Sequence, residues 1–291
     1  MSEQPKIIWT VVDIIKWGTD YFGSKGVDSP RLTIELLLSE VLQCTRLQLY
    51  LMHDRPLTQG ELSILRETCT RRAKREPLQY ILGKTGFYGL DFTVTPDVLI
   101  PRPETETLID TVLKYCASLS GPISILDIGT GSGCIAITLA HHLRHRENVT
   151  IKAIDISQQA LRIAQLNAQS HDVIIEFQCI DILKNNGSIS GIIVSNPPYI
   201  GEDDYQGLEP ELYFEPKIAL TDHANGLRFY QHLAVLIGDK TNDIQSFFLE
   251  VGYGQMQDVE NFFHPFTKQL SKVHDLSGIE RVLWGETRPI L

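Results

Sequence analysis

At 291 residues, with 43% hydrophobic and 21% charged side chains, the chain has material for two globular domains with sizeable cores. No apolar stretch approaches the roughly 20 residues that span a bilayer, and Lys6 and Lys16 interrupt the N-terminus where a signal peptide needs an apolar run. The formal charge of −10 is uneven: residues 1–85 hold 12 Lys/Arg against 10 Asp/Glu and the remainder 14 against 26, an acidic body that disfavours a phosphate-backbone partner.

The five cysteines, Cys44, Cys69, Cys116, Cys134 and Cys179, are scattered and show neither C-x-x-C nor Cys/His ligand spacing. Reduced thiols in a cytoplasmic protein without a metal are therefore expected.

Residues 1–85 read as helical throughout. Ser29-Pro30 predicts a helix start, Ser29 as N-cap and Pro30 at the first helical position. Leu32, Leu36, Leu37 and Val41 then recur at helical spacing. A second amphipathic segment begins at Thr58, where Glu61 completes a capping box, and stops before Pro77. These segments predict a small bundle. The cluster Arg71, Arg72, Lys74, Arg75 is either a solvated helix face or a contact for an acidic partner.

From Gly86 the pattern changes. Residues 86–105 predict a β-hairpin followed by an extended connector punctuated by Pro96, Pro101 and Pro103, with the domain boundary inside it. Over 106–291, short β-branched or aromatic runs at 123–128, 149–154, 173–177, 191–195 and 246–251 alternate with helical stretches at 133–145, 157–170 and 225–238. That order predicts an α/β domain, a mostly parallel sheet with helices on both faces. In such sheets ligands bind beyond the carboxyl ends of the strands.

The residues with chemical promise follow those strands. Asp127 precedes Gly129-Thr130-Gly131-Ser132-Gly133, a glycine-rich turn into a helix where backbone can approach a ligand closely. A nicotinamide dinucleotide site would look similar, but the spacing here is G-x-G-x-G rather than G-x-G-x-x-G. The second strand ends at Asp155, able to accept both hydroxyls of a ribose or, with Ser157, merely to cap the next helix. After the third strand, Asp181 could receive an adenine amino group and Ile182 cover the ring, unless Asp181 only begins a turn.

Asn196-Pro197-Pro198-Tyr199 ends the fourth strand. Two prolines and an Asx side chain can simply stop a strand, which leaves the aromatic directly after them unexplained. An amide or exocyclic amine nitrogen is a poor nucleophile because its lone pair is delocalised. A site that accepts both N–H hydrogens, through the Asn196 side-chain oxygen and the Pro197 carbonyl, would aim the lone pair at a sulfonium methyl. Tyr199 offers a flat face for a planar amide. Catalysis would then be orientation plus hydrogen bonds that strengthen as charge develops.

With both motifs in place, the chain resembles the HemK/PrmC family of peptide chain release factor glutamine N5-methyltransferases over nearly its whole length. Ser29-Pro-Arg31, Glu35-Leu-Leu-Leu38 and Arg72 with Glu76-Pro-Leu-Gln-Tyr-Ile-Leu-Gly83 are similar to the family pattern in the helical part. The connector is the most specific piece, Phe87-Tyr-Gly-Leu-Asp-Phe92 and Val98-Leu-Ile-Pro-Arg-Pro-Glu-Thr-Glu106. Glu250-Val-Gly-Tyr-Gly-Gln255 and Asp275 through Arg281 extend the likeness. The resemblance implies a helical domain (1–85) that docks class 1 release factors, the connector (86–105), and a Rossmann-like class I S-adenosylmethionine-dependent methyltransferase domain (106–291). It implies cofactor contacts from Gly129 to Gly133 and from Asp155, Ile182 and Asn196, and acceptor contacts from Asn196 to Tyr199. The acceptor is the glutamine of a Gly-Gly-Gln motif. The stretch Pro101-Arg102-Pro103-Glu104 would lie over the site, and a monomer is expected. One departure stands out: where the family shows a Gly-Gly-x-Asp-Gly-like turn, this chain reads Thr221-Asp-His-Ala-Asn-Gly226.

Three other readings compete. A nucleic-acid amino methyltransferase, acting on adenine N6 or guanine N2, also has a planar nitrogen acceptor. A duplex substrate would need base flipping and a basic surface, whereas Glu202, Asp203, Asp204, Glu209, Glu211 and Glu215 follow the motif. A binding module that only holds a release factor would not need the cofactor turn, Asp155 and Asn196 together. A nicotinamide-dependent oxidoreductase needs a hydride-transfer acid or base, and His141, His142 and His145 fall on the helix after the glycine turn, where a surface role is expected.

Overall fold

The computed structural model describes residues 8–184 and 187–288, so Lys6 and the outer ends of the predicted helical and methyltransferase domains lie outside the described residues. The chain divides into two compact units, one running to Gly83 and including Pro210–Phe214, the other made of Lys84–Glu209 and the chain from Glu215 onward.

The first unit is helical: α1 (Val11–Ser24), α2 (Pro30–Leu42), α3 (Arg46–Leu51), α4 (Gln59–Ala73) and α5 (Leu78–Leu82). Capping boxes start three of them, Thr10 with Asp13, Thr45 with Gln48, and Thr58 with Glu61 as read from the sequence. Pro30 opens α2, but Ser29 makes no side-chain cap: its φ of 49° turns the hydroxyl away from the first helical N–H groups. The buried face of α2 is Ile34, Leu37 and Leu38, while Leu32 is exposed, so the inward stripe is rotated from the one expected. The reason is α1, whose Gly18 lies so close to α2 that a Cβ there would stand 2.3 Å from Ile34.

The arginine cluster is not a free patch. Arg71 pairs with Glu76, and Arg72 and Arg75 both hold Glu211, at 3.0 and 2.7 Å. Arg72 is buried and Glu211 largely so, which strengthens the pairing relative to a surface bridge. The acidic partner thus comes from this chain's own segment Pro210–Phe214.

The second unit opens on a hairpin, β1 (Lys84–Phe87) and β2 (Leu90–Thr93). Tyr88 and Gly89 both have positive φ, the geometry that matches a two-residue turn to strand twist. The remaining elements are α6 (Glu106–Ser118), β3 (Ile123–Ile128), α7 (Cys134–Leu143), β4 (Val149–Asp155), α8 (Gln158–Ser170), β5 (Glu176–Cys179), β6 (Ser190–Ser195), α9 (Glu202–Tyr205), α10 (Lys217–Leu220), α11 (Arg228–Gly238), β7 (Asp243–Glu250), α12 (Met256–Phe263), β8 (Thr267–His274) and β9 (Glu280–Thr287). Seven strands form one sheet in the order β5-β4-β3-β6-β7-β9-β8. Strands β3 to β7 pair in parallel, and β9 and β8 add antiparallel. This is the expected α/β architecture. Apolar clusters cover both faces, one including Ile125, Val194 and Phe248, the other Ile193, Phe247 and Leu249, the alternation a doubly covered sheet requires. The third predicted strand sits three residues later than expected, after a turn at Asp172, and the β8–β9 hairpin was not predicted: half-exposed strands carry a weak apolar signal.

Strand order reverses at β3, whose neighbours are β4 and β6. At its carboxyl end Asp127 is wholly buried, accepting the Thr130 hydroxyl at 2.7 Å and the Ala136 N–H at 3.3 Å. It thereby staples the glycine turn to the start of α7. Asn167 is a second staple. Its side chain takes the Thr93 N–H and donates to the Thr93 and Ser132 carbonyls, joining β2 to that turn.

Burial pushes the Asp127 carboxyl up to about 7, against the pull of its hydrogen bonds. Because it binds its proton more tightly folded than unfolded, its stabilising contribution is lost as pH rises through about 7. An Asp127→Asn variant lacks this titration. Denaturant unfolding of parent and variant at pH 5 and pH 8 should therefore show their difference shifting toward the variant by roughly 3 kcal/mol. A pH-independent difference contradicts a raised folded-state pKa.

Candidate active site

The glycine turn, the end of β4 and the end of β6 line one cavity of about 320 Å³ in the second unit. Gly129 and Gly131 line it with φ of 75° and 55°, and a Cβ at either would meet no atom within 4 Å. The turn therefore leaves open space along its backbone, and glycine is required for its conformation. The Gly129 and Thr130 N–H groups both bind the Ile154 carbonyl, which fixes the turn against β4.

Asp155 receives the Gly131 N–H at 2.8 Å on one oxygen and the Ser157 N–H at 2.8 Å on the other. Burial raises its pKa while these N–H groups oppose the rise. Each carboxylate oxygen still has a further lone pair to offer. Ser157, which also lines the cavity, caps α8 by accepting the Ala160 N–H, so the cap does not depend on the Asp155 carboxylate alone. Asp181 and Ile182 also line the cavity. Asp181 takes the Leu183 N–H at 3.1 Å and pairs with Lys184 at 3.0 Å, while Ile182 is buried and held through its carbonyl by His232.

Asn196, Pro197 and Pro198 line the same cavity. The Asn196 Nδ2 donates to the Thr105 hydroxyl at 3.2 Å. Among the described residues, neither the Asn196 Oδ1 nor the Pro197 carbonyl is engaged in a hydrogen bond. Tyr199 is placed otherwise: it does not line the cavity, and its ring packs beside Gly252. Its carbonyl accepts the Gln255 Nε2 at 2.9 Å, and burial, with the Glu250 charge adding, pushes its hydroxyl up to about 12. Thr130, Ser132 and Gly133 also lie outside the lining. Thr130 serves Asp127, Ser132 serves Asn167, and a Cβ on Gly133 would stand 2.7 Å from Ile137. These three build the turn rather than face the cavity.

The departing loop is rebuilt around Asp222, a buried cavity-lining residue whose carboxylate receives the N–H groups of Ala224, Gly226 and Arg228 at 2.8–2.9 Å. His223 takes a φ of 56° where a glycine would sit freely. The retained Gly226 has φ of 80°, and a Cβ there would stand 2.4 Å from the Tyr199 carbonyl. The connector is tied down by Glu215, which pairs with Arg102 and accepts the Ile100 N–H at 3.1 Å. Thr105, Asp222 and Glu250 appear in the sequence reading only inside longer runs, with no role of their own. The strand-end rule alone would have drawn notice to Glu250, the last residue of β7.

Residues 13–83 match the PrmC N-terminal domain family, and residues 105–209 match the methyltransferase small domain family. The chain is 39% identical to a release factor glutamine methyltransferase of Geobacter sulfurreducens, over 98% of this chain and 99% of that protein. It is 44% identical to a protein of the same name from Chlorobaculum tepidum, over 78% and 80%. Among solved structures, the hMettl16 catalytic domain in complex with a MAT2A 3′UTR hairpin superposes with a TM-score of 0.53 at 12% identity, covering 76% of this chain and 80% of that one, a likeness of fold alone. Matched along nearly its whole length at this level of identity, the chain belongs to the release factor glutamine methyltransferase family.

Proposed function

We propose that this chain transfers the methyl group of S-adenosylmethionine to the side-chain nitrogen, N5, of the glutamine in the Gly-Gly-Gln motif of class 1 peptide chain release factors. It acts in the cytoplasm and modulates translation termination. The observation that carries the chemistry is the pair of uncommitted acceptors, the Asn196 Oδ1 and the Pro197 carbonyl, beside one cavity. Near-full-length relatives of that name carry the choice of acceptor.

The cavity suits the cofactor on three counts: open space over Gly129 and Gly131, a half-buried carboxylate at Asp155 for vicinal hydroxyls, and the apolar Ile182 next to Asp181 for a purine. When bound, S-adenosylmethionine supplies an electrophilic methyl on a sulfonium. The protein's task is then to present a planar nitrogen. The Asn196 Oδ1 accepts one N–H of the glutamine amide and the Pro197 carbonyl the other, which sets the amide plane and turns the nitrogen's π face toward the methyl. As the nitrogen gains charge, both hydrogen bonds strengthen. No base is needed until the product sheds its extra proton. Holding the nitrogen in this attitude can lower the barrier by roughly 7–11 kcal/mol. Tyr199 lies outside the cavity lining, with its ring beside Gly252 and its carbonyl held by Gln255, so it buttresses the Asn-Pro-Pro turn rather than offering a face to the acceptor. The helical unit docks the release factor.

Incubating a purified release factor with the protein and S-adenosylmethionine, then mapping peptides by mass spectrometry, should place one methyl on the Gly-Gly-Gln glutamine. Asn196→Ala should lower kcat roughly 100- to 1000-fold with cofactor affinity within a few-fold of the parent. Parent-like turnover in that variant, or an unmodified glutamine in the parent reaction, contradicts the assignment. A short Gly-Gly-Gln peptide reaches the cavity without engaging a docking surface, so its kcat/KM should fall well below that of the intact factor. Equal values contradict the docking role.

A further inference from the structure

The turn Asn196-Pro197-Pro198-Tyr199 has an anchoring problem. Backbone N–H groups ordinarily help to tie such a turn down, and two consecutive prolines have none. The stretch is held from its ends instead. On the β6 side, the Ser195 hydroxyl donates to the Ile128 carbonyl at 2.7 Å. On the far side, the Tyr199 carbonyl accepts the Gln255 Nε2 at 2.9 Å, and the Ile200 N–H donates to the Leu220 carbonyl at 3.0 Å. The Pro197 carbonyl lies between these anchors, so its attitude is set by them.

Of the anchors, Gln255 is the one that a side chain supplies from outside the turn's own strand. It stands just before α12 and does not line the cavity. A carbonyl only accepts, so the nitrogen end of the Gln255 carboxamide must face Tyr199. Its Oε1 is then left buried, with no hydrogen-bond partner among the described residues. An unmet buried acceptor costs about 1–3 kcal/mol, and close packing on both ends keeps the carboxamide in place despite it. A Cβ on Gly226 would stand 2.6 Å from the Gln255 Nε2 and 2.4 Å from the Tyr199 carbonyl. A Cβ on Gly252 would stand 2.5 Å from the Gln255 Oε1 and 2.9 Å from the Tyr199 ring. Gly252 has no positive φ, so its missing side chain provides room rather than backbone freedom.

We propose that Gln255 is a positioning residue for methyl transfer: by holding the Tyr199 carbonyl it fixes the Pro197 carbonyl, two residues upstream, in the attitude that receives the acceptor amide. The inference rests on the methyl-transfer reading for its kinetic consequence, whereas the placement of the Pro197 carbonyl is a property of the free protein.

The test uses the full chain with two variants that disturb the same hydrogen bond from opposite sides. Gln255→Met removes the donor at nearly constant length. Gly252→Ala keeps the donor and displaces it, and either variant serves where the other does not fold. Gly254→Ala is the control, because its φ of 78° strains the same loop while a Cβ there meets no atom within 4 Å. Pro197-Pro198 is the sole Pro-Pro pair in the sequence, so isotope-labelled proline gives a single carbonyl-to-nitrogen correlation by NMR, that of the Pro197 carbonyl. Without acceptor, this signal should shift or broaden in Gln255→Met and Gly252→Ala and keep its parent position in Gly254→Ala. With release factor as substrate, the first two should lose roughly 10- to 100-fold in kcat. Their KM and cofactor Kd should stay within about twofold of the parent, as should every constant of Gly254→Ala. An unmoved Pro197 signal in Gln255→Met and Gly252→Ala overturns the proposal. So does a loss confined to KM or cofactor Kd, or a Gly254→Ala variant as slow as Gly252→Ala. A parent that leaves release factor unmethylated while the Pro197 signal still depends on Gln255 contradicts the functional reading and supports the clamp.

Discussion

Where the strand order reverses around β3, the carboxyl edge of a parallel sheet opens into a crevice, and the candidate site's main groups reach it from strand ends. β3 delivers the glycine turn, β4 delivers Asp155 and β6 delivers Asn196. β7, next in the sheet, ends on the buried Glu250. The register of a few central strands, fixed by apolar residues on both faces, therefore sets the spacing between the glycine turn, Asp155 and Asn196. Rigid elements hold such spacing better than loops do. The loops that follow are pinned in turn by buried acceptors: Asp127 and Asn167 hold the glycine turn, Glu215 the connector, and Asp222 the altered turn.

Buried polar groups recur because this site asks for orientation more than for acid–base power. A primary carboxamide has a delocalised lone pair, and a general base would not improve it before attack. On the proposed reading, two fixed acceptors, the Asn196 Oδ1 and the Pro197 carbonyl, orient the amide instead. This is how an acidic body remains compatible with the chemistry: many of its carboxylates are spent as internal acceptors. Glu211, Glu215 and Asp222 each bind groups within their own unit. The acidic residues after Asn-Pro-Pro-Tyr, which weighed against a nucleic-acid substrate on charge alone, include two of these structural anchors.

What was legible in the sequence was local. Gly129-x-Gly131, Asp155 and Asn196-Pro-Pro-Tyr199 are short motifs at strand ends, and the capping box at Thr58 is complete within four residues. What was not legible depends on distance along the chain or on helix rotation. Thr105 meets Asn196 from 91 residues away, and Arg72 finds Glu211 at a separation of 139. The inward stripe of α2 is set by a close approach to Gly18 that no periodicity in α2 announces. Ser29 has the right chemistry for a cap and the wrong backbone angle. In the glycine turn the members of the motif divide: Gly129 and Gly131 line the cavity while Thr130, Ser132 and Gly133 hold the turn together. A linear motif cannot say which of its residues look outward.

The central claim is that the acceptor amide is gripped by both of its N–H hydrogens at once, and the number of methyl groups that one glutamine accepts tests it most directly. Release factor driven to exhaustion with excess enzyme and S-adenosylmethionine should stop at one methyl on that glutamine by intact-peptide mass spectrometry. A monomethylated amide has a single N–H left and cannot satisfy both acceptors. A second methyl accumulating on the same nitrogen would contradict the two-acceptor grip.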